Sequence, residues 1–208
     1  MHINTYDDLD ALQRDAMKEI GSIGTGNAAT ALSALLSKPV QMTVPHVNIL
    51  GYDDAVKEVG NPEEIIAGIL VRMTGEINGV MLYIQKLDFI NMVLDQLFSR
   101  TIEDFSMLSE IENSALEEIG NIMISSYVNA LSSFTDMNIN LSVPGISVNM
   151  LGAIITVPMA ELGYQTDKVM IIDGKFICGG TKLSSHLLMM PDMASLNHLL
   201  EKLGIHNG

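Results

Sequence analysis

Ser114, Glu118, Asn121 and Ser125 follow one another at steps of four, three and four. On an α-helix such steps return to the same side, so the four residues form one continuous polar stripe. Ala115, Ile119 and Ile122 form an apolar stripe beside it. A helix built this way buries one edge and presents a carboxylate and a carboxamide together, one turn apart. The carboxylate accepts hydrogen bonds, whereas the amide both donates and accepts. Carried on a stiff element, the pair suits chemistry that depends on placement. Glutamate and asparagine three apart also occur on ordinary solvated helix faces. Glu118 is a good helix former and needs no special reason; Asn121 is a poorer one and needs slightly more.

The elements that must position this stripe occur twice. A shift of 99 residues lays Asp15–Leu50 over Ser114–Asn149, and ten of the 36 pairs are identical without a gap. They are Ala16/Ala115, Glu19/Glu118, Ile20/Ile119, Gly21/Gly120, Ile23/Ile122, Ala31/Ala130, Leu32/Leu131, Ser33/Ser132, Val44/Val143 and Pro45/Pro144. Ordinary amino-acid usage supplies roughly two. The stripe recurs as Asp15, Glu19 and Ser22, with serine where the second copy has asparagine, and the glutamate-to-proline spacing is kept.

Helical periodicity covers Leu9–Ser37, with Leu12, Ala16, Ile20, Ile23, Ala31 and Leu35 as its apolar stripe, and again Ser109–Phe134. Gly21, Gly24 and Gly26 weaken the first helix by roughly 1 kcal/mol each relative to alanine; close approach of a neighbouring backbone is their expected use. Val40–Asn48, Ile65–Met73 and Gly79–Gln85 read as strands, the last two joined by a turn near Asn78-Gly79, and Asp88 is the expected cap of a helix carrying Ile90, Val93, Leu94 and Leu97. In the second half Asn138–Leu151 and Ile154–Met159 read as extended, and Lys168–Ile172 and Lys175–Cys178 as a hairpin around Asp173-Gly174. His186–Met190 reads as a strand ended by Pro191, and Asp192–Leu203 as a helix. The expected architecture is a pseudo-two-fold α/β (α+β) unit, with long helices packed on a mainly antiparallel sheet. It is expected to be one domain of two repeats, at about residues 9–99 and 106–204, joined near Ser99–Phe105.

Composition narrows the class. The 208 residues are 48% hydrophobic and 17% charged, which suits a globular chain and argues against disorder. Asp and Glu total 25 against 11 Lys and Arg, a net charge of -14. Such a surface repels phosphate backbones and anionic lipid, so neither nucleic acid nor membrane insertion is expected. It favours protein partners with basic or metal-bearing faces, and equally serves solubility alone. The single cysteine, Cys178, excludes an internal disulfide and fits a reducing compartment. Met1–Leu12 is polar and acidic, and no stretch approaches the ~18 apolar residues that span a bilayer. A soluble, cytoplasmic protein is the expectation. His2, His46, His186, His198 and His206 show no metal-ligand spacing, so no metal site is expected. The run Gly21-Ser-Ile-Gly24-Thr-Gly26 lacks the dinucleotide-loop spacing and follows no strand. The 15 methionines read as core filling.

The pattern Asp or Ser, three residues, Glu, two residues, Asn, 22 residues, Pro resembles that of the CheC-type chemotaxis phosphatases, the CheC/CheX/FliY family. Ser114, Glu118, Asn121 and Pro144 carry it complete; Asp15, Glu19, Ser22 and Pro45 carry it with serine in the asparagine position. The segments KEIGSIGTGNAAT and SALEEIGNIM, the length and the duplication extend the resemblance over nearly the whole chain. It implies hydrolysis of the aspartyl phosphate of a CheY response regulator, which would supply its own Mg2+ and lysine, with no cofactor held by this chain. Asn121 would orient the attacking water and Glu118 would pair with the regulator's lysine. Ser114 and Asp15 would assist substrate binding. Glu19 and Ser22 would form a weaker first site, because a hydroxyl is shorter than an amide.

The resemblance also implies the receptor deamidase CheD as a partner. Its expected contact is the segment joining the halves, where Phe98, Ile102, Phe105 and Leu108 could dock a short helix in a groove; the same side chains could simply cover the core. A second class of function stays open: a binding module with little or no catalysis, regulating that deamidase or serving the flagellar switch. Two halves that satisfy each other's surfaces are compatible with a monomer.

Overall fold

The computed structural model describes residues 3–162 and 168–205. In chain order its elements are α1 (Ala11–Leu36), β1 (Val40–Met42), β2 (His46–Gly51), α2 (Tyr52–Val59), β3 (Ile65–Gly75), β4 (Gly79–Gln85) and α3 (Leu87–Phe98), followed by α4 (Glu110–Thr135), β5 (Ile139–Leu141), β6 (Gly145–Met150), α5 (Leu151–Glu161), β7 (Lys168–Cys178), β8 (Thr181–Pro191) and α6 (Met193–Lys202). The starts of α4, β5, β6 and α5 each lie 99 residues after those of α1, β1, β2 and α2. Both long helices open on a capping box. Asp10 and Gln13 exchange side-chain to backbone hydrogen bonds at 2.8 and 2.9 Å. Ser109 and Glu112 do the same at the equivalent positions.

The sheet is a mixed-repeat structure. Its order is β1-β7-β8-β4-β3-β5, with β2 also beside β7 and β6 also beside β3, and every ladder is antiparallel. The first repeat's β1 and β2 therefore complete the second repeat's β7, while β5 and β6 complete β3. The two repeats meet at the β4–β8 ladder, which runs from Gly79↔Pro191 to Ile84↔His186. Neither repeat closes a sheet alone.

Successive side chains of a strand point to opposite faces. Ile69, Val71, Met81, Tyr83, Met170 and Leu187 join the larger core with α1, α3, α4 and α6. Ile66, Leu82, Ile84, Ile171 and Leu188 join a smaller core with α2 and α5. The result is mixed helix and antiparallel sheet in three layers. Because β4 is covered on both faces, all of Gly79–Gln85 is buried, and the segment reads as a continuous apolar run instead of an alternation.

Several expectations are corrected by this packing. Ile154–Met159 is not extended but lies in α5. Its buried residues, Leu151, Ile154, Ile155 and Pro158, have helical spacing. The amides of Leu151 and Gly152 donate to the carbonyls of Glu64 and Pro62 at 2.8 and 3.0 Å, and the Tyr52 hydroxyl donates to the Gly152 carbonyl at 2.6 Å. These contacts with the other repeat override the strand propensity of Ile154-Ile-Thr-Val157. Val40–Asn48 is split into β1 and β2 around Thr43–Pro45. Asp88 lies inside the first turn of α3, and Lys86 takes the cap position. On α1, Leu12 and Leu35 are exposed, and the buried face runs through Met17, Ile20, Gly21, Gly24, Ala28, Leu32 and Leu36.

Asp173-Gly174 is likewise not a turn. β7 runs through it, and the hairpin turns at Gly179-Gly180, whose φ values of +58° and +86° are the left-handed pair that a two-residue connection needs. Asp173 instead faces His186 across the ladder, with Oδ1 2.5 Å from Nδ1 and both side chains largely buried. β2 places His46 opposite Asp173 just as β6 places Gly145 opposite Leu70, so the first repeat's equivalent of Asp173↔His186 is Leu70↔Leu82. The fold thus accepts leucines at these positions. Asp173→Leu alone is expected to lower stability by about 1–3 kcal/mol by orphaning the imidazole. Asp173→Leu with His186→Leu is expected to be neutral or stabilising. Urea unfolding of the three proteins at neutral pH checks this; a double variant less stable than the single one counts against it.

Candidate functional site

α4 is held at its start, its middle and its flank. At the start, the buried Glu112 carboxylate accepts from the backbone N–H and the hydroxyl of Ser109, both at 2.8 Å. The Arg100 guanidinium donates to the same carboxylate at 3.0 and 3.1 Å, and to the Met107 carbonyl at 3.0 Å. The hydrogen bonds from the Ser109 backbone and hydroxyl, followed by the charge of Arg100, hold the Glu112 pKa below its ordinary 4.5. A depressed carboxylate pKa stabilises the fold at pH above the unfolded value, and that contribution is lost as the pH falls through the folded value. Acid unfolding monitored by circular dichroism is therefore expected to begin at lower stability in Glu112→Gln. The stability difference from wild type should shrink as the pH drops below about 4.5; a difference independent of pH would contradict it.

In the middle, a Cβ on Gly120 would lie 2.7 Å from Ile69. α4 therefore rests on β3 one residue before Asn121, at a distance only glycine allows. The buried Gln85 amide donates to the Leu116 carbonyl at 3.1 Å. Along its flank α4 packs on α1, where a Cβ on Gly24 would meet the Tyr127 Cα at 2.9 Å. The Tyr127 hydroxyl lies 2.5 Å from the Thr25 hydroxyl, which itself donates to the Gly21 carbonyl at 2.7 Å. Burial pushes the Tyr127 phenol up to about 12. Close backbone approach is thus real at Gly24. Gly21 makes ordinary contact with Pro45 and Val47, and Gly26 has nothing within 4 Å of its would-be Cβ.

The outer face of α4 carries the stripe. Ser114 and Glu118 are exposed, and Asn121 and Ser125 are half-buried. The Ser125 hydroxyl donates back to the Ile122 carbonyl at 3.2 Å. Among the described residues, neither the Glu118 carboxylate nor the Asn121 amide enters a hydrogen bond or ion pair. Both are presented outward with their bonding capacity unused. α1 repeats the arrangement: Asp15 and Glu19 are exposed and Ser22 is half-buried. Asp15 takes the Lys18 ammonium at 3.1 Å in an exposed pair, a contact of little energetic weight. Pro45 packs beside Gly21, the residue before Ser22, which brings the loop after β1 against α1.

The segment joining the repeats is more firmly tied than its composition suggests. Phe98 ends α3 partly exposed, and Phe105 and Leu108 are half-buried against the larger core. Ile102 is 4% exposed, and the Asn91 side chain binds both its N–H and its carbonyl, at 2.7 and 3.0 Å. Ile102 is therefore a core residue with nothing to offer a partner, and only one 3-10 turn, Phe105–Met107, forms there. Sequence reasoning missed the two capping boxes, although Asp10-x-x-Gln13 and Ser109-x-x-Glu112 announce them in the residues. His2 and His206 lie outside the described residues. Among the described residues, no group of three or more side chains is arranged to hold a metal ion, and no helix is long and apolar enough to cross a membrane.

Comparison with known proteins agrees with this geometry. The sequence model of the CheC-like family matches residues 12–49 and 111–148, one segment per repeat, each containing one stripe and its proline. The chain is 32% identical over 196 residues to the CheY-P phosphatase CheC of Bacillus subtilis (strain 168), covering 92% of this chain and 94% of that one. It is 31% identical over 147 residues to the flagellar motor switch phosphatase FliY of the same organism, covering 70% of this chain and 38% of that longer protein. The crystal structure of Thermotoga maritima FliY shares the fold, with a TM-score of 0.74 at 22% identity over 95% of this chain and 98% of that one. With 32% identity along nearly all of both chains and both helix-to-proline segments matched, the protein belongs to the CheC-like family.

Proposed function

We propose that this protein hydrolyses the aspartyl phosphate of a CheY-type response regulator, with the outer face of α4 as the working surface. The observation that carries this reading is Glu118 and Asn121. They project from one side of a helix fixed by Gly120, Gln85 and the Ser109–Glu112 cap, and they are engaged with nothing else among the described residues. The Bacillus subtilis relative named as a CheY-P phosphatase supports it.

The reaction is attack of water on phosphorus in line with the acyl-phosphate bond. That P–O bond breaks, the regulator's aspartate leaves as a carboxylate, and inorganic phosphate and a proton pass to solvent. Phosphoryl transfer of this kind needs alignment and charge stabilisation more than covalent help. The regulator brings Mg2+ and a lysine. The Asn121 carbonyl accepts from the water while its N–H groups donate, which orients the nucleophile. Glu118 pairs with the lysine and sets the docking geometry. Positioning of this kind supplies the acceleration without a general base from this chain.

Ser114 borders the same surface, and Glu19 with Ser22 and Asp15 forms a weaker counterpart on α1. The place of action is the cytoplasm, where the regulator is found. One chain suffices, since each repeat completes the other's sheet. The receptor deamidase CheD is a second partner, for which Phe98 is the exposed and Phe105 the half-buried apolar residue of the joining segment. The test is direct: catalytic amounts of the protein are mixed with a phosphorylated CheY-type regulator. Loss of aspartyl phosphate faster than the regulator's own decay, with turnover, supports the reading. Unchanged decay leaves a binding module.

A further inference from the structure

Six of the large apolar side chains left in solvent form three pairs that lie 99 residues apart: Leu12 with Ile111, Leu35 with Phe134, and Val44 with Val143. Single exposed apolar residues need no explanation. A fold gains nothing, however, from keeping them exposed at equivalent places in both repeats. Leu12 and Ile111, 63% and 67% exposed, precede Asp15 and Ser114 by three residues. They extend each polar stripe by one turn on the same side of its helix. Val44 and Val143, 76% and 88% exposed, stand directly before Pro45 and Pro144. Pro45 packs against α1 at Gly21, the residue before Ser22, so Val44 belongs to the loop that reaches the helix there. Each copy thus has one exposed apolar side chain on its stripe helix and another directly before its proline. Leu35 and Phe134 lie about 24 Å beyond the glutamates along their helices.

We infer that Ile111 and Val143 are the apolar anchors by which the second copy grips the phosphorylated regulator, and that Leu12 and Val44 make the first copy a second docking surface that holds the regulator without hydrolysing it. The inference rests on the phosphatase reading and extends it. A chain of net charge -14 meets repulsion as it approaches a phosphoryl group. Apolar contact around the glutamate supplies attraction that does not depend on charge, while Glu19 and Glu118 answer the lysine. Both exposed apolar residues recur in both copies, while Ser22 stands in the first where the second has Asn121. Each chain then binds two regulators and turns over one.

The test uses the full-length protein and a regulator carrying beryllofluoride, an aspartyl-phosphate mimic that is not hydrolysed. Calorimetric titration of wild type should give two equivalents. Leu12→Ser with Val44→Ser should remove one of them. Ile111→Ser with Val143→Ser should remove the other and raise KM for the phosphorylated regulator at least 10-fold, with kcat within twofold. Thermal midpoints of both variants should match wild type, as expected for exposed positions. A wild-type protein that hydrolyses but binds a single equivalent overturns the first-copy surface. Equivalents and KM unmoved by either double substitution overturn the anchors, as does a fall in kcat at unchanged KM. Absence of both binding and hydrolysis in wild type is instead the failure of the phosphatase reading.

Discussion

Asn121→Ala is expected to lower turnover on the phosphorylated regulator by about 10²- to 10³-fold, the range found when one well-placed hydrogen-bonding group is removed from a transition state. The fold should be spared. Asn121 has no internal partner to abandon among the described residues, and alanine is the better helix former by a few tenths of a kcal/mol. KM should change little, because Glu118 and its surroundings stay in place. Glu118→Ala should behave differently and raise KM as well as lower kcat, since the proposed mechanism gives the carboxylate its part in docking. Phosphate release under saturating and limiting regulator separates the two. Wild-type rates from a protein carrying both Asn121→Ala and Glu19→Ala would sink the mechanism.

Ser22→Asn, introduced into the Asn121→Ala protein, should recover at least 10-fold of the lost rate if the amide is all that the first copy lacks. The grounds are positional. Glu19 and Ser22 have the exposure of Glu118 and Asn121, α1 has the same kind of cap, and Pro45 is in place. One difference works against full recovery. Gly120 sits hard against Ile69, whereas the equivalent Gly21 is in ordinary contact with its neighbours, so the two helices rest differently on the sheet. No recovery at all would mean that this offset, and not the missing amide, silences the first copy. If the Asn121→Ala parent already hydrolyses well and Glu19→Ala removes that activity, serine is competent and the order of the two sites is reversed.

Much of the candidate site is legible in the sequence alone. The Ser114, Glu118, Asn121 stripe follows from helical geometry, because residues three and four apart share a face whatever surrounds them. The shift of 99 residues reappears in the starts of four successive elements, since identical spacing between like local signals yields like local structure. The long helices, their order with the strands and the sense of two halves are all properties of short-range pattern.

Other features have no short-range cause. Backbone hydrogen bonds are blind to side-chain identity, so nothing in β1 or β2 says that they pair with β7 of the other repeat. Ile154-Ile-Thr-Val157 suits a strand until the carbonyls of Pro62 and Glu64 receive the amides that start α5. Leu12 is as apolar as Ile20, yet only Ile20 has something packed over it. Ile102 reads as a surface anchor until Asn91 binds its backbone and draws it into the core. The same holds for the proposed site. Spacing puts Glu118 and Asn121 side by side, but their freedom to meet a partner depends on which face of α4 the sheet and α1 cover. That choice is made by Gly24, Gly120 and the residues they press against, far apart in the chain and in contact only once it is folded.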